Sequence, residues 1–187
     1  MFLILSLSSY YFIISAIQFW ISDYMIEVLK FDGKNVFTAF TIVCTSGPIM
    51  GAVASGYFGM KIGGYNSVYA LPSCILFSAV MLVFGLPLTN VDDFYMLNAL
   101  LWVIMFLGGL MIPLMTGIML QSLDPELRPN ANAFASFTYN LLGFLPAPFI
   151  YGYICSVTGG KTSKWGMSIT MNMNIIALIF LIFAFAQ

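Results

Sequence analysis

The chain has 187 residues, of which 61% are apolar and only 7% charged, with a net charge of −1. An average soluble domain carries about a quarter charged residues, so most of this exterior faces lipid rather than water, and the mean hydropathy of +0.98 agrees. The charge balance excludes a basic nucleic-acid footprint, and the absence of histidine excludes His metal ligands and His proton relays.

A spanning helix needs about 20 mostly apolar residues, and the few charges mark where such runs stop. The first run covers about residues 2–29 and meets a charged turn at Lys30, Asp32 and Lys34. It lacks a basic leading segment and is too long for a signal peptide. A second run, about 35–58, ends in the glycine-rich stretch around Lys61. The third, about 68–88, stops at Asp92 and Asp93, and the fourth, about 94–121, stops before Asp124, Glu126 and Arg128. The fifth, about 131–155, closes at Gly159, Gly160, Lys161 and Lys164, and the sixth covers about 165–186. Runs of this length predict helices, since barrel strands alternate and are about half as long. The expected fold is therefore an all-α membrane protein of six transmembrane helices in one bundle over residues 1–187. Trp20, Tyr24, Tyr65, Tyr69 and Trp165 fall near run ends, as interfacial aromatic belts would.

Glycine and proline recur inside three runs: Gly47, Pro48, Gly51 and Gly56; Gly108, Gly109, Pro113 and Gly117; Gly143, Pro146, Pro148 and Gly152. Small residues at such spacing let helices approach closely, and intramembrane prolines kink helices around cavities. Runs one to three and four to six each hold a long first helix and a Gly/Pro-broken second helix with a Gly-flanked end. This predicts two three-helix repeats, about 1–90 and about 94–187, inverted because each has an odd number of spans. Residue-level similarity between them is slight. Cys44, Cys74 and Cys155 have no CxxC spacing and read as buried thiols.

The stretch Gly56-Tyr-Phe-Gly-Met60-Lys61-Ile-Gly63-Gly64-Tyr65 resembles the loop motif of the major facilitator superfamily, Gly-x-x-x-Asp-Arg/Lys-x-Gly-x-Arg/Lys. Gly56, Lys61 and Gly63 match in register, whereas Met60 takes the acidic position and Tyr65 the final basic one. The stretch Asp124–Ala133 resembles that family's loop between helices ten and eleven. The segment from Tyr139 to Gly159 is similar to helix eleven of its spinster-like members, with Ser156 where a carboxylate is expected. The resemblance covers nearly the whole chain as helices seven to twelve. It implies half of a major facilitator fold, partnered by an N-terminal six-helix half in the same chain or as a separate subunit.

Several polar residues follow from this placement. The resemblance puts the first, second, fourth and fifth helices along the substrate path, so Tyr11, Gln18 and Asn140 are candidate substrate contacts; Gln18, Tyr11 and Asn140 are also the better-buried polar residues. The alternative for them is interhelical hydrogen bonding. Asp23 and Glu27, four apart, share a helical face and are candidates for proton or cation coupling; the alternative is a wet interfacial pair beside Lys30. Gly56, Lys61 and Gly63 form the candidate gate, in which the family uses charge contacts and a helix-end dipole. Asn172 and Asn174, in the last helix, suit packing or a partner interface. Lys61 and Arg128 lie on the side of both termini, with Lys30, Lys34, Lys161 and Lys164 opposite. Charge alone therefore puts the termini outside, whereas the resemblance puts them in the cytosol.

The expected function is a secondary transporter half moving an amphipathic or small organic solute by alternating access. A spinster-like assignment implies lysophospholipid or sphingoid substrates. The alternative is a non-transporting structural subunit of a larger membrane assembly, favoured by the missing carboxylates at Met60 and Ser156. A third reading, a hydrophobic subunit of a respiratory-type complex, lacks the buried Lys/Glu chain of proton pumps. No catalytic motif, phosphate loop or metal set occurs, so no enzyme, cofactor, metal or nucleic-acid role is expected; the bilayer and membrane subunits are the expected partners.

Overall fold

The computed structural model describes residues 1–158 and 162–186. Among these the chain is helical, with no strand, and six helical spans are long and apolar enough to cross a membrane. The spans are Phe2–Val28, Gly33–Lys61, Ala70–Asn90, Phe94–Gln121, Arg128–Val157 and Lys164–Phe185. They are built from seven α-helices: α1 (Phe2–Asp23), α2 (Gly33–Lys61), α3 (Ala70–Gly85), α4 (Phe94–Gln121), α5 (Arg128–Tyr139), α6 (Pro146–Val157) and α7 (Lys164–Phe185).

The ends are set by short polar signals at run boundaries. Asp32, Asp93 and Ser163 each precede a helix and accept a backbone N–H three residues on, from Asn35 at 3.2 Å, Met96 at 2.8 Å and Gly166 at 3.1 Å. Such caps satisfy amides that have no intrahelical acceptor. Pro129 sits in the first turn of α5, where its missing N–H costs nothing. At the far end of α2, Gly63 and Gly64 take φ of 91° and 90°, which stops the helix just after Lys61. Lys161, Gly159 and Gly160, with the loop expected there, lie outside the described residues.

Two spans carry π turns, Tyr24–Val28 at the end of α1 and Asn140–Phe144 between α5 and α6. The second has a visible cause. Pro146 and Pro148, two residues apart, lack N–H groups and crowd the carbonyls four residues back, which disfavours regular α-helix in the turn just before them.

Spans one and four form the centre, with about half of each buried, against 22% for spans two and five. Span four packs on spans two, three and one; span one packs on spans five, six and four; spans three and six pack on each other. The core includes Leu7, Ile13, Ile17 and Ile21 of span one and Leu101, Ile104, Met111 and Leu114 of span four. Lipid tails are as apolar as these side chains, so association depends on close packing and interhelical hydrogen bonds. Close packing is most demanding at two crossings. A Cβ on Gly51 would strike the backbone of Phe106 and Leu110, and one on Gly109 would strike Pro48. At the crossing of spans five and one, a Cβ on Gly143 would strike the Ser8 carbonyl.

Candidate functional site

The crossing of spans one and five brings together most of the polar chemistry of the first candidate site. Pro148 has no N–H to offer the Phe144 carbonyl, and Ser15 Oγ of span one donates to that oxygen instead, at 2.8 Å. One turn further, Trp20 Nε1 donates to the Pro148 carbonyl at 3.1 Å. The broken helix is thus re-satisfied by its neighbour, the condition under which a membrane tolerates it.

Tyr11 is half-buried here and stacks face to face on Tyr139, with ring centroids 4.1 Å apart and planes within 5°. The Tyr139 and Ser136 hydroxyls hydrogen-bond at 2.7 Å, and Asn140 Nδ2 donates to the Ser136 carbonyl at 2.8 Å. An open groove of about 300 Å³ runs along the π turn, lined by Phe137, Asn140, Leu141, Phe144 and Leu145. Its character is apolar and aromatic with one amide.

Burial of two candidates differs from expectation. Gln18 and Asn140 are both exposed on the surface of the six-helix bundle rather than held between its helices. The reason is that spans one and five leave one face without a neighbouring helix, a fact that residue type does not encode. Tyr11 and Asn140 are brought to one helix crossing, flanking the Tyr139 ring. Gln18 lies further along the first helix.

Asp23 and Glu27 are exposed at the end of span one. A π turn, Tyr24–Val28, begins between the two carboxylates. The aromatic belt also divides. Trp165 and Tyr69 are 68% and 71% exposed, as a belt requires. Tyr24 is fully buried and Trp20 stacks on Tyr151 at 5.1 Å, so both are packing residues. Tyr65 is a packing residue too, because its ring fills a slot between Gly59 and Gly117.

That slot belongs to the loop motif. Lys61 is exposed and its ammonium lies 5.5 Å from the Tyr57 ring centroid, a cation–π arrangement. Among the described residues the one ion pair is Lys164–Asp92, so Lys61 meets no described carboxylate. Gly56 has nothing within 4 Å of where its Cβ would be. The loop is held to span four by Tyr65 in its slot and by Asn66 Nδ2 donating to Gln121 Oε1 at 3.0 Å.

Elsewhere along span four, Trp102 stacks on Phe106 at 5.4 Å, and its Nε1 donates to Ser46 Oγ at 2.9 Å. Asn174 is buried within the chain. Its Nδ2 donates to the Ser78 carbonyl at 2.9 Å, and Ser78 Oγ donates to Asn174 Oδ1 at 3.2 Å. Residue type alone did not single out Ser15, Trp102 or Ser78. For Ser15 a signal exists: a serine facing two prolines of a neighbouring span is a natural donor to a freed carbonyl.

A fixed offset of 96 residues also relates the two halves of the sequence. It pairs Gly47 with Gly143, Gly56 with Gly152, Tyr57 with Tyr153, Gly63 with Gly159 and Gly64 with Gly160. No family model matches this chain, and no curated protein matches it.

Proposed function

We propose that the chain is a six-helix half of a secondary transporter, built from two inverted three-helix repeats and working by alternating access. The observation that carries this reading is the pair of uncovered amides on spans one and five, Gln18 and Asn140. Gln18 and Asn140 are amides inside spanning helices, yet exposed. Lipid offers an amide no hydrogen bond, so such a face lines a water-filled path or meets another protein. The π turn and prolines beside Asn140 are the kind of broken helix that lines cavities. The partner is a second six-helix half, as the resemblance to the major facilitator superfamily implies.

The helix packing supports the repeat. Exchanging spans one, two and three for four, five and six carries the two–four contact onto five–one and the three–four contact onto six–one. The three–six and one–four contacts map onto themselves. The 96-residue offset agrees in register. It carries Gly143, which meets Ser8, onto Gly47, which meets Trp102, Met105 and Phe106, and it carries Ser8 onto Ile104 within that same turn.

The apolar, aromatic groove beside Asn140 favours an amphipathic solute, a lysophospholipid or sphingoid base in the spinster-like case. Uptake of a radiolabelled lysophospholipid or sphingoid base by membrane vesicles containing the chain and its partner half tests this. Gln18→Ala and Asn140→Ala lower uptake; unchanged uptake in both removes them from the path.

The placement of Lys61 favours a second reading, a structural subunit that no longer cycles. Met60 and Ser156 supply no charge, and the Lys61 ammonium rests over Tyr57 instead of pairing with a carboxylate. Wild-type uptake indistinguishable from empty vesicles, with the protein folded, supports that reading over transport.

A further inference from the structure

At the end of the bundle opposite the termini, a cavity of about 170 Å³ lies between the end of span three and the start of span six. It is lined by Thr89, Asn90, Lys164, Trp165 and Ser168. Thr89 is 8% exposed and makes no hydrogen bond through its hydroxyl to any described residue. Lys164 Nζ lies 3.5 Å from Asp92 Oδ1, a loose pair whose side chains remain 52% and 75% exposed. Ser163 caps α7 by accepting from the Gly166 N–H. The Lys164 and Trp165 N–H groups open the helix and have no intrahelical acceptor. Trp165 is 68% exposed at this end, as at a headgroup boundary.

We propose that this cavity binds the headgroup of a phospholipid that carries both a phosphate and a primary amine. The phosphate sits against the Lys164 ammonium, the first amides of α7 and the Thr89 and Ser168 hydroxyls, where a helix start adds favourable partial charge. The amine takes the Asp92 carboxylate, so the headgroup inserts into the loose Lys164–Asp92 pair and satisfies both charges. A quaternary ammonium has no N–H to donate to Asp92, so phosphatidylethanolamine is preferred over phosphatidylcholine. Three features at this membrane boundary fit this class: a cation and an interfacial indole that line the small cavity, and an anion beside that cation. The proposal stands independently of transport.

The test is native mass spectrometry of the detergent-purified chain with phosphatidylethanolamine and phosphatidylcholine of matched acyl chains. Retention of phosphatidylethanolamine roughly fivefold over phosphatidylcholine is expected, the scale of one partly exposed charge contact. Lys164→Ala lowers retention of both lipids, Lys164→Arg preserves it, and Asp92→Asn equalises the two. Ser168→Ala, a milder change, lowers retention while leaving the fold intact. Equal retention of the two lipids by the unaltered chain overturns the proposal, as does a preference that survives Asp92→Asn. Displacement of the lipid by excess inorganic phosphate also overturns it, by assigning the cavity to free phosphate; retention in its presence supports the lipid.

Discussion

Ser78 and Asn174 hydrogen-bond twice across spans three and six, both buried and 96 residues apart. The same separation relates the glycines of spans two and five. Two positions related by an internal repeat touch only beside the axis relating the copies. The pair therefore marks where the proposed axis runs, and it is also a polar clasp between spans three and six.

The two halves of this clasp are unequal. Asn174→Ala removes the donor to the Ser78 carbonyl and the acceptor of its hydroxyl, whereas Ser78→Ala keeps the carbonyl. Asn174→Ala is expected to destabilise by about 1–2 kcal/mol and Ser78→Ala by roughly half that, the range for interhelical hydrogen bonds in membranes. Thermal unfolding in detergent, with the double variant completing the cycle, checks the order.

Glycines in the Gly/Pro-rich helices separate by what they touch. Gly51→Leu and Gly143→Leu drive side chains into the backbone of a neighbouring span and are expected to abolish the folded bundle. Gly56→Ala meets open space and is expected to be neutral or to stabilise by up to about 1 kcal/mol through helix propensity. Size-exclusion profiles and melting temperatures of the three variants distinguish these outcomes.

Ser15 and Pro148 are coupled through one carbonyl. Ser15→Ala leaves the Phe144 oxygen without a donor, a cost of about 1 kcal/mol or more. In Pro148→Ala the new N–H supplies that bond along the helix, so adding Ser15→Ala costs little. The coupling energy from the four unfolding curves reads this directly, and additive effects contradict it.

Much of the architecture was legible in the sequence because scarce charges mark every turn: Lys30 to Lys34, Lys61, Asp92 and Asp93, Asp124 to Arg128. Span boundaries moved outward where polar residues serve the helix itself. Lys34 and Lys61 lie inside α2, since Asp32 caps its start and two left-handed glycines set its end. The proline breaks in span five were visible, but not that they are met by a π turn at Asn140–Phe144, nor that Ser15 of another helix donates to the Phe144 carbonyl there. The exposure of Gln18 and Asn140 was hidden for a related reason. Spans that are apolar nearly all round carry no periodic signal of which face is covered. The 96-residue register was present in Gly47, Gly56 and Gly63 but diluted by dissimilar residues between them.

The central claim is that Gln18 and Asn140 face water within the membrane. Gln18→Cys and Asn140→Cys, each in a background with Cys44, Cys74 and Cys155 replaced, can be exposed in intact membranes to a membrane-impermeant thiol reagent. Val83→Cys, on an exposed apolar face of span three, serves as the lipid-facing reference. Labelling at positions 18 and 140 but not at 83 is the predicted result; labelling as low as at 83 at both positions contradicts the account.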